Sequence, residues 1–482
     1  MGLIATIKRW FSMIFKKQAE EDFAVNVISS PEMERIIKNC YGIYGGKPYW
    51  ESAEKGIKTI NFAKSICSET ARLATLAIGI KIDGSARATW LQQQIDAVYF
   101  KIRHWVEYGC AYGTVFLKPN GESIDVFTPE DVLLVEYDNL GIKGIIFKDS
   151  YAEKDRYYTR LEYHRYVDQE YDGQKVRPYI VSNRAYVSRS SDSIGDPISL
   201  EKTKWSNLLP ETPPILKADG SPLDGPLFGM FRTPAANNVD INTPMGLPIY
   251  AEAIEELRDL DVAYSRNAGE IFDSEKIILA DDRLLMPPGE KIGKMTTAQR
   301  QRAVEEMKLP HYVKNVFGND VKEFYAEINP QLNTDVRLAG MNALLSQIGY
   351  KAGYSNGYFV FNEKTGMVTA TQVEADDRRT IQLIKDVRDK LEDCLNGTIY
   401  ALNVFADLYG LAPVGVYEVT YDFGDITYNR EEDRLRWWQY VVQGKVPAWM
   451  YFQKFEGMSE KEAKAMVEEA QPKETRLFGG EE

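Results

Sequence analysis

Gly366-Met-Val-Thr-Ala-Thr371-Gln-Val-Glu374-Ala-Asp-Asp-Arg-Arg379 is the most informative stretch of the sequence, because a glycine-containing turn runs there into one long helical pattern. Thr371 and Glu374 are spaced as in a capping box, where a hydroxyl and a carboxylate satisfy two free backbone N–H groups. Apolar residues recur three or four positions apart to about Leu408, and no proline falls between Thr371 and Ala412. The pattern predicts a rod of roughly 57 Å. An ordinary core helix or a coiled-coil helix also fits this pattern.

Composition limits the class of protein. The 482 residues are 44% hydrophobic and 27% charged, which predicts a folded chain with several domains. The net charge of −13 argues against a protein that grips DNA or RNA tightly. No apolar run reaches the roughly 18 residues of a membrane-spanning helix. Residues 1–17 predict an amphipathic helix with a basic end, which would dock on a protein groove, a neighbouring subunit or a membrane surface.

No motif for catalysis, a cofactor or a metal is found. The four cysteines are scattered without metal spacing and are expected to be buried thiols in a reducing cytoplasm. The three histidines share no motif. The stretch Gly289-Glu-Lys-Ile-Gly293-Lys294-Met295 is one residue too short between glycines for a phosphate loop, and methionine replaces its Ser or Thr. We therefore expect no catalytic residues, no metal and no cofactor, and predict that the protein is not an enzyme.

The periodicities predict an α+β protein. Residues 1–110 have mainly helical spacing, with helices expected after the Ser30-Pro31 cap, over 50–77 and over 93–107. Alternation of period two over 113–187, with a turn at Asn120-Gly121, predicts an antiparallel sheet. Residues 205–248 are expected to be loops. Helices are predicted from about 246 to 272 and 334 to 352, strands at 276–279 and 416–421, and helices starting near 429 and 459.

Four stretches, in this order, resemble portal proteins of tailed bacteriophages, of the type found in siphophages of Gram-positive hosts. Each lies beside a predicted helix. They are Tyr41-Gly-Ile-Tyr44 with Trp50; Pro234-Ala-Ala-Asn237-Asn238 with Pro244-Met-Gly246-Leu-Pro248-Ile-Tyr250 and the following Leu257, Leu260 and Asp261; Gly353-Tyr-Ser355, Phe359-Val-Phe361 and Thr369-Ala-Thr371-Gln-Val-Glu374; and Tyr440-Val-Val-Gln443-Gly444 with Gly457-Met-Ser459-Glu-Lys-Glu462. The resemblance covers nearly the whole chain.

The resemblance implies a portal-like subunit of seven parts. Residues 1–245 would be the wing, made of helices and an antiparallel sheet. Residues 246–273 and 333–353 would be the two stem helices, and 274–332 between them the clip. Residues 354–369 would form the tunnel loop and 370–410 the tunnel helix. Residues 411–482 would contribute a wing strand and the crown.

It also implies a function. Such subunits form a ring, dodecameric in the virion and able to take other sizes in isolation, through which double-stranded DNA is packaged and ejected. The implied partners are the terminase large subunit, which hydrolyses ATP, the major capsid and scaffolding proteins, and the head–tail adaptor. The implied location is the capsid vertex of the virion, and the host cytoplasm during assembly.

Charge then suggests which residues meet DNA. Twelve copies at −13 each would carry −156, so a largely negative channel would let DNA slide. We expect Lys351 and Lys364 to offset this repulsion locally, with Arg258 as a further candidate. Asn356, Lys364 and Thr365 of the loop are expected to approach DNA. Thr371 and Glu374 would cap the tunnel helix.

Three other interpretations stay open at this point. A different non-enzymatic ring or channel protein would share the acidic composition and the shortage of motifs. A nucleotide-dependent enzyme with an unrecognised site would turn over ATP. A membrane-surface protein would use residues 1–17 to bind lipid.

Overall fold

The computed structural model describes residues 15–28, 30–121, 123–171, 174–217, 219–273, 277–281, 296, 298–299, 302, 313–316, 325–328, 334–361, 370–424, 430–456 and 458–469. The chain divides into two compact units. The larger comprises Met1–Thr75 and Gly79–Tyr421, and the smaller Leu76–Ile78 and Asp422–Glu482. Helices and mainly antiparallel strands are combined in the larger unit, so the predicted α+β, multi-domain class is confirmed.

The N-terminal helices depart from the predicted bounds. A helix at 15–23 is followed by Pro31–Tyr44, Phe62–Ala74, Ala86–Val98 and Ile102–Tyr112. The predicted cap is confirmed, because the Ser30 hydroxyl accepts a 3.5 Å hydrogen bond from the Met33 N–H. The helix expected over 50–77 begins only at Phe62, and the one expected over 93–107 is two helices separated by the 3-10 turn Tyr99–Lys101.

Five antiparallel strands form the main sheet. Their order is β10 (Asp196–Ile198), β9 (Tyr179–Ser188), β6 (Arg156–Tyr166), β5 (Gly141–Glu153) and β4 (Val132–Asp138). The predicted antiparallel sheet is therefore confirmed. A small hairpin of β7 (Gln169–Tyr171) and β8 (Gln174–Val176) lies between β6 and β9 in sequence.

A second sheet contains an element that the sequence pattern did not reveal. The hairpin of β2 (Thr114–Pro119) and β3 (Ile124–Phe127) lies where it was predicted. Strand β11 (Gly229–Arg232) joins it by pairing with β2. The expectation that 205–248 is loop throughout is wrong at this point, because four residues are too few to show a period and their partner is over a hundred residues away.

The core beneath these sheets is aromatic and contains buried charges. Phe116, Phe147 and Phe228 pack with ring centroids 5.3–5.9 Å apart. Beside them the Lys118 ammonium lies 2.6 Å from a carboxylate oxygen of Glu162. Arg160 donates to the same oxygen at 2.7 Å. All three charged side chains are buried, so each needs the others to offset its lost hydration.

Among its described residues, the larger unit also contains three longer helices and two small sheets. The helices are Ile254–Asp273, Thr334–Lys351 and Ala370–Tyr409. Between the first two in sequence, β12 (Ile277–Asp281) pairs in parallel with β13 (Val313–Val316) and antiparallel with β14 (Tyr325–Ile328). Strand β1 (Gly79–Gly84) pairs with β15 (Tyr417–Asp422), which was predicted at 416–421.

The first of these helices starts later than predicted. The helix begins at Ile254 rather than near 246, after a 3-10 turn at Ala251–Ala253. The Gly246 N–H donates to the Thr114 hydroxyl at 2.8 Å, and the Thr233 hydroxyl donates to the Leu247 carbonyl at 2.7 Å. These contacts with neighbouring segments hold residues 246–250 outside the helix.

The smaller unit consists of helices Arg430–Val442, Ala448–Glu456 and Glu460–Glu469. The predicted capping box at Ser459 is confirmed in both directions. The Glu462 N–H donates to the Ser459 hydroxyl at 3.3 Å, and the Ser459 N–H donates to the Glu462 carboxylate at 3.0 Å. Arg434 donates to the Tyr451 hydroxyl at 2.8 Å and pairs with Glu456, which joins the first two helices.

Candidate functional site

Two of the helices, Ile254–Asp273 and Thr334–Lys351, pack against each other. The second buries Met341, Leu345 and Ile348, which are spaced along one face. Lys351 at its end lies 2.5 Å from Glu256 at the beginning of the first, so the two helices run in opposite directions. In sequence, strands β12, β13 and β14 lie between these two antiparallel helices.

Residues 48–61, which we call the strap, are hydrogen-bonded to the helix Ile254–Asp273. The buried carboxylate of Asp261 accepts a 2.8 Å hydrogen bond from the Trp50 indole N–H and a 3.0 Å bond from the Ile60 N–H. One turn later, the Ser265 hydroxyl accepts from the Lys58 N–H at 2.9 Å. Because the helix occupies these backbone donors, the strap is not helical, which explains the wrong start predicted for the following helix.

Asp261→Ala should release the strap. The change removes the charged acceptor of two hydrogen bonds and leaves the Trp50 indole N–H unpaired. We therefore expect the free energy of unfolding to fall by about 2–3 kcal/mol. Amide hydrogen exchange should rise over residues 48–61. The matched control is Asp259→Ala, because Asp259 is exposed and pairs only at the surface with Arg258. Equal amide hydrogen exchange over residues 48–61 in the two variants would contradict the role assigned to Asp261.

The segment after the second helix is docked rather than free. The Tyr354 hydroxyl lies 2.6 Å from the Thr70 hydroxyl, and both side chains are buried. Ser355 and Thr380 hold each other reciprocally: the Ser355 N–H donates to Thr380 at 2.9 Å, and the Thr380 N–H donates to Ser355 at 3.3 Å. Tyr354 of the predicted loop is therefore fixed to the helix Phe62–Ala74, and Ser355 is fixed to the long helix.

The long helix is confirmed as Ala370–Tyr409, forty residues or about 60 Å at 1.5 Å per residue. It packs backbone to backbone on β11. A Cβ at Gly229 would lie 2.1 Å from the Cys394 carbonyl oxygen, and one at Gly397 would lie 3.1 Å from the Gly229 Cα. Arg388, also buried, donates from this helix to the Leu73 and Ala74 carbonyls at 3.2 and 3.0 Å.

Arg87 binds the other end of the long helix. Its side chain is 1% exposed and donates five hydrogen bonds. The acceptors are the Asn403 side chain and carbonyl at 2.8 and 2.9 Å, the Asp407 carboxylate at 2.7 Å, and the carbonyls of Ala412 and Pro413 at 2.9 and 3.0 Å. The guanidinium satisfies carbonyls that the end of a helix and the following turn leave without partners.

The basic side chains singled out from sequence are paired inside the subunit. Lys351 is one-third exposed and pairs with Glu256. Arg258 pairs with Glu255 at 2.6 Å and with Asp259 at 3.1 Å. Their charge is offset by the acidic first turns of the helix that starts at residue 254. That they line a channel stays a prediction.

The loop candidates are not brought together with them in the described residues. Asn356 is exposed, and its side-chain oxygen accepts from the Ser346 hydroxyl on the preceding helix. Lys364 and Thr365 lie outside the described residues. The long helix begins at Ala370, one residue before the predicted cap at Thr371, and the side chains of Thr371 and Glu374 also lie outside the described part. The capping box and the DNA contacts stay predictions.

Sequence reasoning missed the residues that hold these segments in place. Arg87, Asp261 and Arg388 are charged residues within helices, where a solvated position is the usual expectation. Trp50 and Asp261 did stand in the stretches that carried the family resemblance, but their contact spans 211 positions. A charged residue on an otherwise apolar helix face was the signal available, and it does not identify the partner.

The described part of the chain offers neither a membrane span nor a metal-binding cluster. None of its helices combines the length and apolarity that crossing a bilayer requires. In the same residues, no three side chains of His, Cys, Asp or Glu converge as they would around a metal ion.

Comparison with known proteins identifies no family for this chain. No family model matches the chain, and no curated protein matches it. Among solved structures, a chain of the virion of a native gene transfer agent particle is similar, with a TM-score of 0.43 and 12% identity over 92% of this chain and 99% of that chain.

Proposed function

We propose that this chain is the subunit of a phage portal, a ring-forming channel for double-stranded DNA at the capsid vertex and a platform for the tail. The observation that supports it is the order of elements: a helix, a small sheet, an antiparallel return helix, a docked turn and a forty-residue helix. A channel subunit needs its helices fastened to the rest of the chain, as Asp261, Arg388 and Arg87 fasten them here.

The parts are assigned accordingly. Helices Ile254–Asp273 and Thr334–Lys351 would be the stem, and the β12–β14 region between them the clip, which would meet the head–tail adaptor and the terminase. The long helix would follow the tunnel, and the main sheet and N-terminal helices would be the wing, facing capsid and scaffolding proteins. The three C-terminal helices would be the crown. The protein would act in the virion and assemble in the host cytoplasm.

Electrostatics supports a channel that guides DNA without holding it. The subunit carries a net charge of −13, and its candidate stem cations are paired with carboxylates. A duplex carries one negative charge per roughly 1.7 Å of axis. Repulsion between like charges would keep the duplex away from the wall and let it slide.

Native mass spectrometry and negative-stain imaging of the purified protein test this proposal. We expect closed rings of about twelve or thirteen subunits with a central hole; twelve subunits of 54.9 kDa give roughly 660 kDa. We also expect no ATP turnover above the blank, because the chemistry would belong to the terminase. Persistent monomers at high concentration, or turnover that purifies with the chain, would reject the proposal.

A further inference from the structure

One surface of the larger unit is apolar and exposed where the long helix ends. This surface, the 408–418 patch, carries five exposed apolar side chains within nine residues. They are Leu408, Tyr409, Leu411, Val414 and Val416, of which Val414 is 88% and Val416 81% exposed. Contiguous apolar surface of this kind marks interaction sites in folded proteins.

The 408–418 patch also has a free strand edge and acidic neighbours. Strand β15 follows directly, and β1 is its partner in a sheet of two strands, so its far edge is unpaired among the described residues. An open edge can pair with another chain. Glu418 is exposed on this strand. Asp407, half exposed, adds negative charge that is partly offset by Arg87.

A second surface, the 99–108 patch, combines aromatic and basic side chains. Phe100 is 69% exposed, and Tyr99 and Tyr108 are also exposed. Lys101 lies over the Phe100 ring, 5.7 Å from its centroid. Within the described part of the chain, neither Lys101 nor the exposed Arg103 forms an ion pair. Glu107 in the same segment is partly buried and accepts a 2.7 Å hydrogen bond from the Tyr44 hydroxyl, so Lys101 and the exposed Arg103 give this apolar patch a positive charge.

The two patches lie at opposite ends of one helix. At the start of Ala86–Val98, the Ser85 hydroxyl donates to the Val416 carbonyl at 2.9 Å, and Arg87 reaches the Pro413 carbonyl. The helix then runs thirteen residues, roughly 20 Å, to the 99–108 patch. One subunit thus presents an apolar-acidic surface at one end and an apolar-basic surface at the other.

We infer that the 408–418 patch of one subunit binds the 99–108 patch of a second copy of this chain, head to tail. Charge complementarity selects this occupant, because opposite signs accompany exposed apolar side chains on both surfaces. Contacts between two different surfaces repeat around a ring until it closes. The inference rests on the proposed function and names the contact that would close its ring.

Mixing two complementary variants tests the contact. The first carries Val414→Asp and Val416→Asp, and the second carries Phe100→Asp and Arg103→Glu. The altered side chains are exposed, so each variant should keep the thermal stability and circular dichroism of the wild type. Each alone should lose rings at least tenfold, because the first replaces two apolar contacts by carboxylates that would have to be desolvated, and the second sets carboxylates opposite the acidic 408–418 patch. The equimolar mixture retains one intact pair of patches and should give cross-linked dimers but no rings.

The controls are Leu140→Asp and Ile241→Asp, which place the same charge on side chains 88% and 84% exposed outside both patches. They should form rings as the wild type does. Rings from either double variant, or a mixture that stays monomeric after cross-linking, would overturn the inference while leaving wild-type rings and the proposed function intact. A wild type that forms no rings would instead reject the proposed function.

Discussion

Arg87→Ala should lower the free energy of unfolding of the larger unit by about 3 kcal/mol or more. The change removes five hydrogen bonds at once and leaves the carbonyls of Ala412 and Pro413 without their donor. A hydrogen bond that involves a charged group contributes about 1.5–3 kcal/mol. Asp407 is half exposed, so water can solvate it and reduce the loss.

The lysine variant separates charge from geometry. Arg87→Lys keeps the positive charge, but a single ammonium group cannot donate to five acceptors that surround the three nitrogens of a planar guanidinium. We expect it to recover less than half of the loss. Urea unfolding followed by circular dichroism measures both variants, with the exposed Arg156→Ala as control. If Arg87→Ala and Arg156→Ala unfolded at the same urea concentration, the hydrogen bonds of Arg87 would not stabilise the fold.

Glu162→Gln should have a similarly large effect and lower the free energy of unfolding by about 3–5 kcal/mol. Its carboxylate is the counter-ion of both Lys118 and Arg160 inside the main sheet. It also accepts from His164 at 3.0 Å. Without that charge, buried Lys118 loses its carboxylate partner and buried Arg160 keeps only the more distant Asp149, 3.6 Å away. Thermal unfolding measures the loss, and Glu211→Gln is the control, because Glu211 pairs with Arg165 at the exposed edge and surface pairs contribute about 1 kcal/mol or less.

The same cluster predicts acid sensitivity. Burial lowers the pKa of His164 below its usual 6.5, although Glu162 opposes the shift. Burial alone would raise the pKa of Glu162, but Lys118 and Arg160 hold it well below 4.5. Both groups bind protons more weakly in the folded state. Their contribution is therefore complete above the unfolded pKa and is lost as pH falls towards the folded pKa.

The contribution of these two groups to stability should accordingly be flat above about pH 6.5, decline below it as unfolded His164 takes up a proton, and fall faster below about pH 4.5. His164→Gln should remove the decline between these two values. A profile in that range unchanged by the substitution would show that His164 does not cause it. The neutral ring also fits its contacts, since its Nδ1 lies 2.9 Å from the Tyr179 hydroxyl.

Local signals were enough for much of the secondary structure. The long helix was predicted to within a residue or two at each end because its apolar stripe is regular over forty residues. The β2–β3 hairpin and the Ser30 and Ser459 caps were also predictable, since the residues that define them are a few positions apart. Strand β11 was not, because only its pairing with distant β2 makes it a strand.

The candidate site was predictable in its elements but not in its contacts. Lys351 and Arg258 were selected as isolated positive charges, and only the packed structure reveals the carboxylates that pair with them. Glu256 is 95 positions from Lys351 in the chain. No local pattern reports on such a pair.

The α+β class, the antiparallel sheet, the long helix and the acidic charge all follow from periodicity, capping and composition, which are local properties of the chain. Tertiary structure alone decided how the rod is held. Arg87 binds its end, Arg388 reaches from its side to another helix, and Asp261 fastens the strap. Each of these interactions joins segments 200 or more residues apart, and a buried charge identifies its partner only when folding brings the two together.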